Sequence, residues 1–119
     1  MSTELAQLMK DNLEQVWNER DPVARLEAIK RMYTVDAILY DPGEPVTGHE
    51  QINNSVTTVQ QNLPPAFRFR LLKPAVMNHN LGKASWGVGP EGQPEVSTGM
   101  DIAIFENGKI RALYVFLEG

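Results

Sequence analysis

The sequence contains no cysteine. This absence excludes disulfide bonds, thiol nucleophiles and thiolate metal sites together. Basic residues are also few, because 11 Lys and Arg stand against 15 Asp and Glu, for a net charge of −4. Nucleic-acid binding needs a clustered excess of positive charge, and we therefore do not expect a nucleic-acid partner.

Long hydrophobic runs are missing as well. No apolar stretch approaches the length of a membrane-spanning helix, and residues 1–15 carry charges where a signal peptide needs an unbroken apolar segment. We therefore expect a cytoplasmic protein without membrane contact. The two histidines, His49 and His79, lie far apart in the chain and lack the spacing of a ligand pair. The sequence thus predicts neither a metal site nor a cofactor.

The remaining composition is ordinary for a globular protein, with 42% hydrophobic and 22% charged residues. The length predicts one domain covering residues 1–119, large enough to bury a core without covalent cross-links. Apolar residues at helical spacing predict three helices. These helices cover residues 5–17, residues from Pro22 to about Tyr33, and a segment that opens with the capping-box pattern Thr47–Glu50 and ends before Pro64.

The rest of the chain has the pattern of β-strands. The segment TVDAILYD, residues 34–41, lies between the second and third helices and is rich in β-branched and aromatic residues. Several short β-type segments then follow from Phe67 to Leu117. This order predicts an α+β fold, in which three N-terminal helices pack on a strongly curved, mainly antiparallel sheet and leave a conical cavity between the layers.

The dipeptide Asn107-Gly108 suits a two-residue hairpin turn and so predicts how the last two strands pair. Counting back from the turn places Asp101 opposite Tyr114, and we expect Tyr114 and Phe116 on the same face as Asp101. The opposite face is expected to carry three apolar residues, Leu113, Val115 and Leu117. An apolar outer face needs cover, and we therefore predict a two-fold homodimer through it.

Four stretches carry a family resemblance. They are VWNERD at residues 16–21, YTVDAILYDP at 33–42, VTGHEQI at 46–52 and GMDIAIFENGKIRALYVF at 99–116. In this order and spacing the chain resembles the nuclear transport factor 2-like superfamily, in particular its SnoaL-like and ketosteroid-isomerase-like branches. The resemblance implies a cystatin-like α+β roll. It specifies function less well, because this fold serves isomerases, cyclases, hydrolases, dehydratases and proteins that only bind.

The resemblance to ketosteroid isomerases implies catalytic roles for two aspartates. The general base of that family, an aspartate followed by proline at the end of the first strand, matches Asp41. Its protonated aspartate, which donates to the developing oxyanion, matches Asp101. We expect Asp101, deeper in the sheet, to keep its proton and Asp41, nearer water, to stay ionised. The family's helix-one tyrosine matches Leu13, which has no hydrogen-bond donor.

Both aspartates also have a plainer interpretation. Asp41 stands in an Asp-Pro-Gly sequence that favours a turn. Asp101 could be a buried polar group satisfied by a structural partner. Tyr114 either supplies the donor missing at Leu13 or packs in the core or a dimer face.

Further aromatic and polar residues are candidates for the wall of a ligand cavity. We predict substrate-binding positions at Trp17, Tyr33, Trp86, Tyr114, Phe116 and His79.

Two functional hypotheses remain open at this stage. In the first, the chain is a SnoaL-like enzyme of isomerase or cyclase type, which moves a proton next to a carbonyl group in an apolar cavity. In the second, the same cavity binds an apolar small molecule without catalysis. The retained pair of aspartates favours the enzyme, whereas Leu13 favours the binding protein.

Overall fold

The computed structural model describes residues 2–118, in which helices cover one side of a curved, mostly antiparallel sheet. The helices are α1 (Ser2–Asn12), which continues into a π-helical turn (Leu13–Trp17), α2 (Pro22–Met32) and α3 (His49–Gln61). The strands are β1 (Tyr33–Tyr40), β2 (Val46–Thr47), β3 (Phe67–Leu71), β4 (Val76–Asn78), β5 (Leu81–Pro90), β6 (Ser97–Glu106) and β7 (Lys109–Leu117).

The strands form one seven-stranded sheet in the order β2-β1-β7-β6-β5-β3, with β4 paired to β5. All neighbours run antiparallel except β1 and β7, which are parallel. Two helices precede β1 along the chain and one follows it. Together the helices cover the inward face of the long strands. The predicted α+β fold is confirmed.

The first predicted helix ends differently from a regular α-helix. Residues 13–17 form a wider π-helical turn, in which Asn18 N–H donates to the Leu13 carbonyl at 2.9 Å. This turn buries Leu13, Val16 and Trp17 against the sheet. Such turns are frequent at functional sites, because the extra residue in the turn redirects the side chains around it.

The second helix begins at Pro22 as predicted, and the Asp21 side chain accepts a hydrogen bond from Val23 N–H. The capping-box prediction for the third helix is wrong. Thr47 belongs to β2, where it pairs with Ile38, and is therefore not the capping residue. Gly48 takes that position with φ of +94°, a conformation that glycine adopts without strain.

The hairpin between β6 and β7 has the predicted turn, since Asn107 and Gly108 both have positive φ. Its predicted register is wrong. Phe105 pairs with Ile110 but Ile104 pairs with Ala112, so that Arg111 is an extra residue in a β-bulge.

The bulge shifts every pair beyond it by one residue, so that Asp101 pairs with Val115 and Tyr114 pairs with Ile102. Alternation along the strand then places three residues on the inward face with Asp101: Leu113, Val115 and Leu117. Tyr114 and Phe116 lie on the outer face. The prediction that Tyr114 and Phe116 share the face of Asp101 is therefore wrong. The prediction that Leu113, Val115 and Leu117 form the outer face is wrong for the same reason.

Candidate functional site

A cavity of about 330 Å³ lies between the π-helical turn, the end of α3 and the inward face of the sheet. Its wall is predominantly apolar and aromatic, as expected of a small-molecule site. The lining residues are Leu13, Trp17, Asp41, Pro42, Val59, Asn62, Leu63, Phe69, Trp86, Val88, Ser97, Asp101, Val115 and Leu117. Two carboxyl groups are thus set in a mostly apolar surface, whose other polar residues are Asn62 and Ser97.

Asp101 is the buried carboxyl group of this cavity, with 3% of its surface exposed. It stands on β6, and its Oδ1 accepts a hydrogen bond of 2.9 Å from Trp86 Nε1 on β5. Burial raises the pKa of Asp101 to about 7, and the indole N–H partly opposes that rise. At and below neutral pH a large fraction of Asp101 therefore carries its proton.

Asp41 is the second carboxyl group and directly follows β1, beside Pro42. It is half-buried, and its Oδ1 accepts a hydrogen bond of 2.9 Å from Gly43 N–H. This contact is the turn interaction expected of an Asp-Pro-Gly sequence. The two interpretations of Asp41 are therefore compatible, since one oxygen stabilises the turn while the residue lines the cavity.

A second buried polar cluster lies near Asp101 on the side of the helices. The Tyr33 hydroxyl donates to Asn12 Oδ1 at 2.5 Å, and both residues are almost fully buried. Burial raises the pKa of Tyr33, and the charge of Asp101 raises it further, so that the phenol stays neutral. Trp17 Nε1 lies near this hydroxyl and, among the described side chains, is a buried nitrogen without a hydrogen-bond partner.

The charge of the cavity wall limits what it can bind. Its ionisable side chains, within residues 2–118, are Asp41 and Asp101, and no Lys, Arg or His accompanies them. An anionic ligand would therefore meet carboxyl groups without a compensating cation. The wall suits a neutral ligand that presents an apolar body and one hydrogen-bonding atom.

Two features are absent from the described part of the chain: a metal-binding group of side chains and a membrane-spanning helix. No group of three or more His, Asp or Glu side chains is arranged to hold a metal ion. No helix is long and apolar enough to span a bilayer.

A protein-family model identifies the family of this chain. The model of the family described as "SnoaL-like domain" matches residues 11–113, which is most of the chain. The chain belongs to the SnoaL-like domain family. No curated protein matches it.

Solved structures confirm the SnoaL-like fold. A provisionally assigned isomerase of the SnoaL-like family from Agrobacterium tumefaciens has 23% sequence identity and a TM-score of 0.88, over 98% of this chain and 99% of that one. A provisionally assigned SnoaL-like polyketide cyclase from Jannaschia has 11% identity and a TM-score of 0.81, over 98% and 86%. A provisionally assigned ketosteroid isomerase from Kribbella flavida has 12% identity and a TM-score of 0.73, over 98% and 79%. At these identities the likeness shows the fold alone.

The SnoaL-like cavity brings together four of the residues selected from the sequence: Asp41, Asp101, Trp17 and Trp86. The other four lie elsewhere. Tyr33 lies in the buried cluster with Asn12 rather than on the wall. His79 is exposed in the turn between β4 and β5, with φ of +55°. Tyr114 is stacked on Tyr40 on the outer face at 4.4 Å between ring centroids, and Phe116 shares that face.

Several wall residues of the SnoaL-like cavity were not selected from the sequence. Phe69 and Val88 point inward from β3 and β5, and Val115 and Leu117 point inward from β7. Alternation along β3 and β5 could have found the first two. The last two depend on the bulge at Arg111.

Arg25 was also missed, although it positions the helices that bound the cavity. Its side chain is fully buried and donates to Asn53 Oδ1 at 2.5 Å and to Gln60 Oε1 at 2.8 Å, both on α3. It also donates to the Glu19 carbonyl at 2.8 Å. Gln60 in turn donates to the Trp17 carbonyl at 3.0 Å. Arg25 therefore ties α2 to α3 and, through Gln60, to the turn that carries Trp17.

Proposed function

We propose that this SnoaL-like domain is an enzyme of isomerase or cyclase type, which transfers a proton next to a carbonyl group of a neutral, largely apolar substrate. One observation carries the proposal: Asp41 and the buried Asp101 line the same apolar cavity. Asp101 is buried, whereas Asp41 is half-buried. Two carboxyl groups whose environments differ in burial are suited to act as acid and base. The substrate class follows from the wall, which holds aromatic and aliphatic groups and no described cation.

In the proposed step, the Asp41 carboxylate takes a proton from the carbon next to the carbonyl. The electron pair of the broken C–H bond forms a C=C bond, and the carbonyl π-electrons move onto oxygen. The protonated Asp101 donates a hydrogen bond to that oxygen as its negative charge develops. If a C=C bond adjoins the deprotonated carbon, Asp41 returns the proton to the far carbon of the resulting dienolate and the substrate is isomerised. Attack of the enolate carbon on a second carbonyl instead closes a ring, and the new alkoxide takes the proton from Asp41.

The protonation state of Asp101 gives the proposed enzyme a pH dependence. Asp101 can donate only while it holds its proton, and its pKa is about 7. Activity should therefore fall as the pH rises through about 7.

Proton transfer can be tested without the natural substrate. The ketone β-tetralone, incubated with the protein in heavy water, should exchange the hydrogens next to its carbonyl, as followed by proton NMR. We expect Asp41→Asn to lower the exchange rate by on the order of 100-fold or more, as for loss of a general base. Asp101→Leu should lower it by on the order of 100-fold, as for loss of an oxyanion donor.

The matched control is Asp36→Asn, which makes the same change at an exposed aspartate. It should leave the exchange rate as in the wild type. Wild-type exchange no faster than with the Asp41→Asn variant would refute proton transfer by Asp41.

The alternative function is binding without catalysis. It is favoured by Leu13, an apolar wall residue at the position where the family resemblance implies a tyrosine donor. In that case β-naphthol, a neutral aromatic probe, should quench or shift the fluorescence of the two wall tryptophans while β-tetralone exchange stays at the background rate.

We also propose a homodimer through the outer face of the sheet. The residues on that face differ from the predicted ones, but the face remains apolar. It carries Tyr40, Ile102, Ile104, Tyr114 and Phe116, of which Phe116 is 53% exposed.

A further inference from the structure

The hydrogen bond between Trp86 and Asp101 is held in place by its surroundings. The two residues lie on the neighbouring strands β5 and β6, and each is 3% exposed. The indole ring lies directly over Gly99, where an added Cβ would come within 2.2 Å of it. The edge of Phe69 packs against the same ring, with 5.3 Å between centroids. The indole N–H therefore has little freedom to leave Asp101 Oδ1.

This contact distinguishes the two oxygens of the carboxyl group. The indole N–H can only donate, and in a neutral carboxylic acid the carbonyl oxygen accepts better than the hydroxyl oxygen. The oxygen that faces Trp86 is therefore the one without the proton. Within residues 2–118, the other oxygen of Asp101 has no hydrogen-bond partner in the protein.

We propose that Trp86 is a positioning residue, which keeps the proton of Asp101 on Oδ2 and so leaves the acid's O–H free for a ligand in the cavity. The catalytic consequence rests on the proposed function, in which this O–H donates to the substrate oxygen. The assignment of the proton itself does not, because it follows from the indole contact alone.

Trp17 offers an internal comparison. Both tryptophans line the same cavity and both are almost completely buried. Trp86 Nε1 donates to Asp101, whereas Trp17 Nε1 has no described partner. Replacing each by phenylalanine removes the same ring N–H group and a similar volume from one wall. Any effect specific to Trp86→Phe thus reports the hydrogen bond rather than packing.

The hydrogen bond can be observed in the unmodified protein. The two indole N–H groups give two nitrogen-15 NMR cross-peaks, assigned by the two Trp→Phe variants. When Asp101 ionises, its hydrogen bond with Trp86 becomes charge-assisted and shortens. The Trp86 indole proton should therefore move downfield as the pH rises, with a midpoint at about 7, and Asp101→Asn should abolish this movement. The proposal fails if the Trp86 peak does not titrate, or if the Trp17 peak moves equally.

Carbon-13 titration of the Asp101 carboxyl group provides the second test. The Trp86 N–H favours the ionised form, so Trp86→Phe should raise the pKa of Asp101 by on the order of one unit or more. Trp17→Phe should leave that pKa unchanged. If both variants change it by the same amount and sign, Trp86 acts only through packing and the proposal is wrong.

β-Tetralone exchange separates this inference from the proposed function. In Trp86→Phe, the rate below the pKa should fall and the alkaline decline should move to higher pH, whereas a packing defect would lower the rate without moving the decline. If the wild type shows the indole titration but no exchange, the proton assignment stands and the enzyme proposal fails. If exchange depends on Asp101 but Trp86→Phe leaves its alkaline decline in place, the positioning role of Trp86 is refuted.

Discussion

At the scale of single residues, Asp101 is the feature that most needs explanation. An ionised carboxylate loses its hydration when it enters an apolar site, and one indole N–H replaces only part of that hydration. The protein therefore keeps the group neutral over a range of pH in which a free aspartate is ionised. Burial of Asp101 lowers the stability of the fold at a pH where a free aspartate is ionised. This loss of stability can be measured independently of any activity.

Replacing Asp101 by asparagine should change how stability depends on pH. The ordinary pKa of 3.8 applies to the unfolded chain and the native value is about 7, so native Asp101 binds a proton that the unfolded chain has lost between these pH values. In the wild type this group's contribution is fully present below about pH 4, falls as the pH rises and levels off above about pH 7. A shift of about three pKa units corresponds to on the order of 4 kcal/mol.

Asparagine does not ionise, and its carbonyl oxygen can still accept from Trp86. The Asp101→Asn variant should therefore gain stability relative to the wild type as the pH rises from about 4 to about 8, as measured by urea unfolding. Asp36→Asn should follow the wild-type pH dependence. A constant difference between Asp101→Asn and the wild type would show that native Asp101 titrates like an exposed aspartate.

At the scale of secondary-structure elements, α2 and α3 are joined by a buried arginine rather than by apolar contacts alone. The planar guanidinium of Arg25 reaches acceptors on α3 and the Glu19 carbonyl together, which a lysine cannot do. Burial lowers its pKa, but the nearby acids Glu19 and Asp21 oppose that change. The side chain is thus a charged group whose partners are mostly neutral.

Arg25→Lys should destabilise the protein by about 3 kcal/mol, because the lost donors leave buried acceptors unpaired. Arg31→Lys is the matched control, since Arg31 lies in the same helix, is exposed and donates to Gln15 Oε1. It should change stability by less than about 0.5 kcal/mol. Denaturant unfolding measures both, and equal effects would contradict the role given to Arg25.

Most of the helices and strands could be predicted from the spacing of apolar residues and from the proline, glycine and asparagine residues at their ends. Pro22 begins its helix, and Asn107-Gly108 forms its turn. The bulge at Arg111 could not be predicted, because residues 112–117, ALYVFL, are apolar at every position. Alternation selects a register only where one face is polar, and in this segment both registers would bury apolar side chains. The same segment determines which residues accompany Asp101, and for that reason both wall residues of β7, Val115 and Leu117, were missed.

The observed register predicts that substitutions at two neighbouring residues of β7 differ in their effect on ligand binding. Val115 lines the cavity, whereas Phe116 lies on the outer face. Val115→Trp should fill part of the cavity and weaken β-naphthol binding by on the order of tenfold or more. Phe116→Trp should bind the probe as the wild type does. Isothermal titration calorimetry distinguishes them, and the reverse order of affinities would support the bulge-free register.

At the scale of the whole molecule, the sheet has two different faces. The inward face is covered by helices and contains the cavity. Within residues 2–118, no helix covers the aromatic and aliphatic residues of β1, β6 and β7 on the outer face, which include the stacked pair Tyr40 and Tyr114. Apolar faces of this kind are usually covered by a partner, and identical faces of two copies can meet about a two-fold axis.

Phe116→Glu should therefore convert a homodimer into a monomer. In the isolated chain this residue is 53% exposed, so glutamate remains hydrated and costs little, whereas in the proposed dimer a glutamate from each copy would be buried in the interface. Val23→Glu is the control, because Val23 is 72% exposed in the first turn of α2, away from the sheet. Light scattering at micromolar concentration should give a dimer mass for the wild type and for Val23→Glu, and a monomer mass for Phe116→Glu. A monomeric wild type would refute the dimer, whereas a dimeric Phe116→Glu variant would exclude this face as the interface.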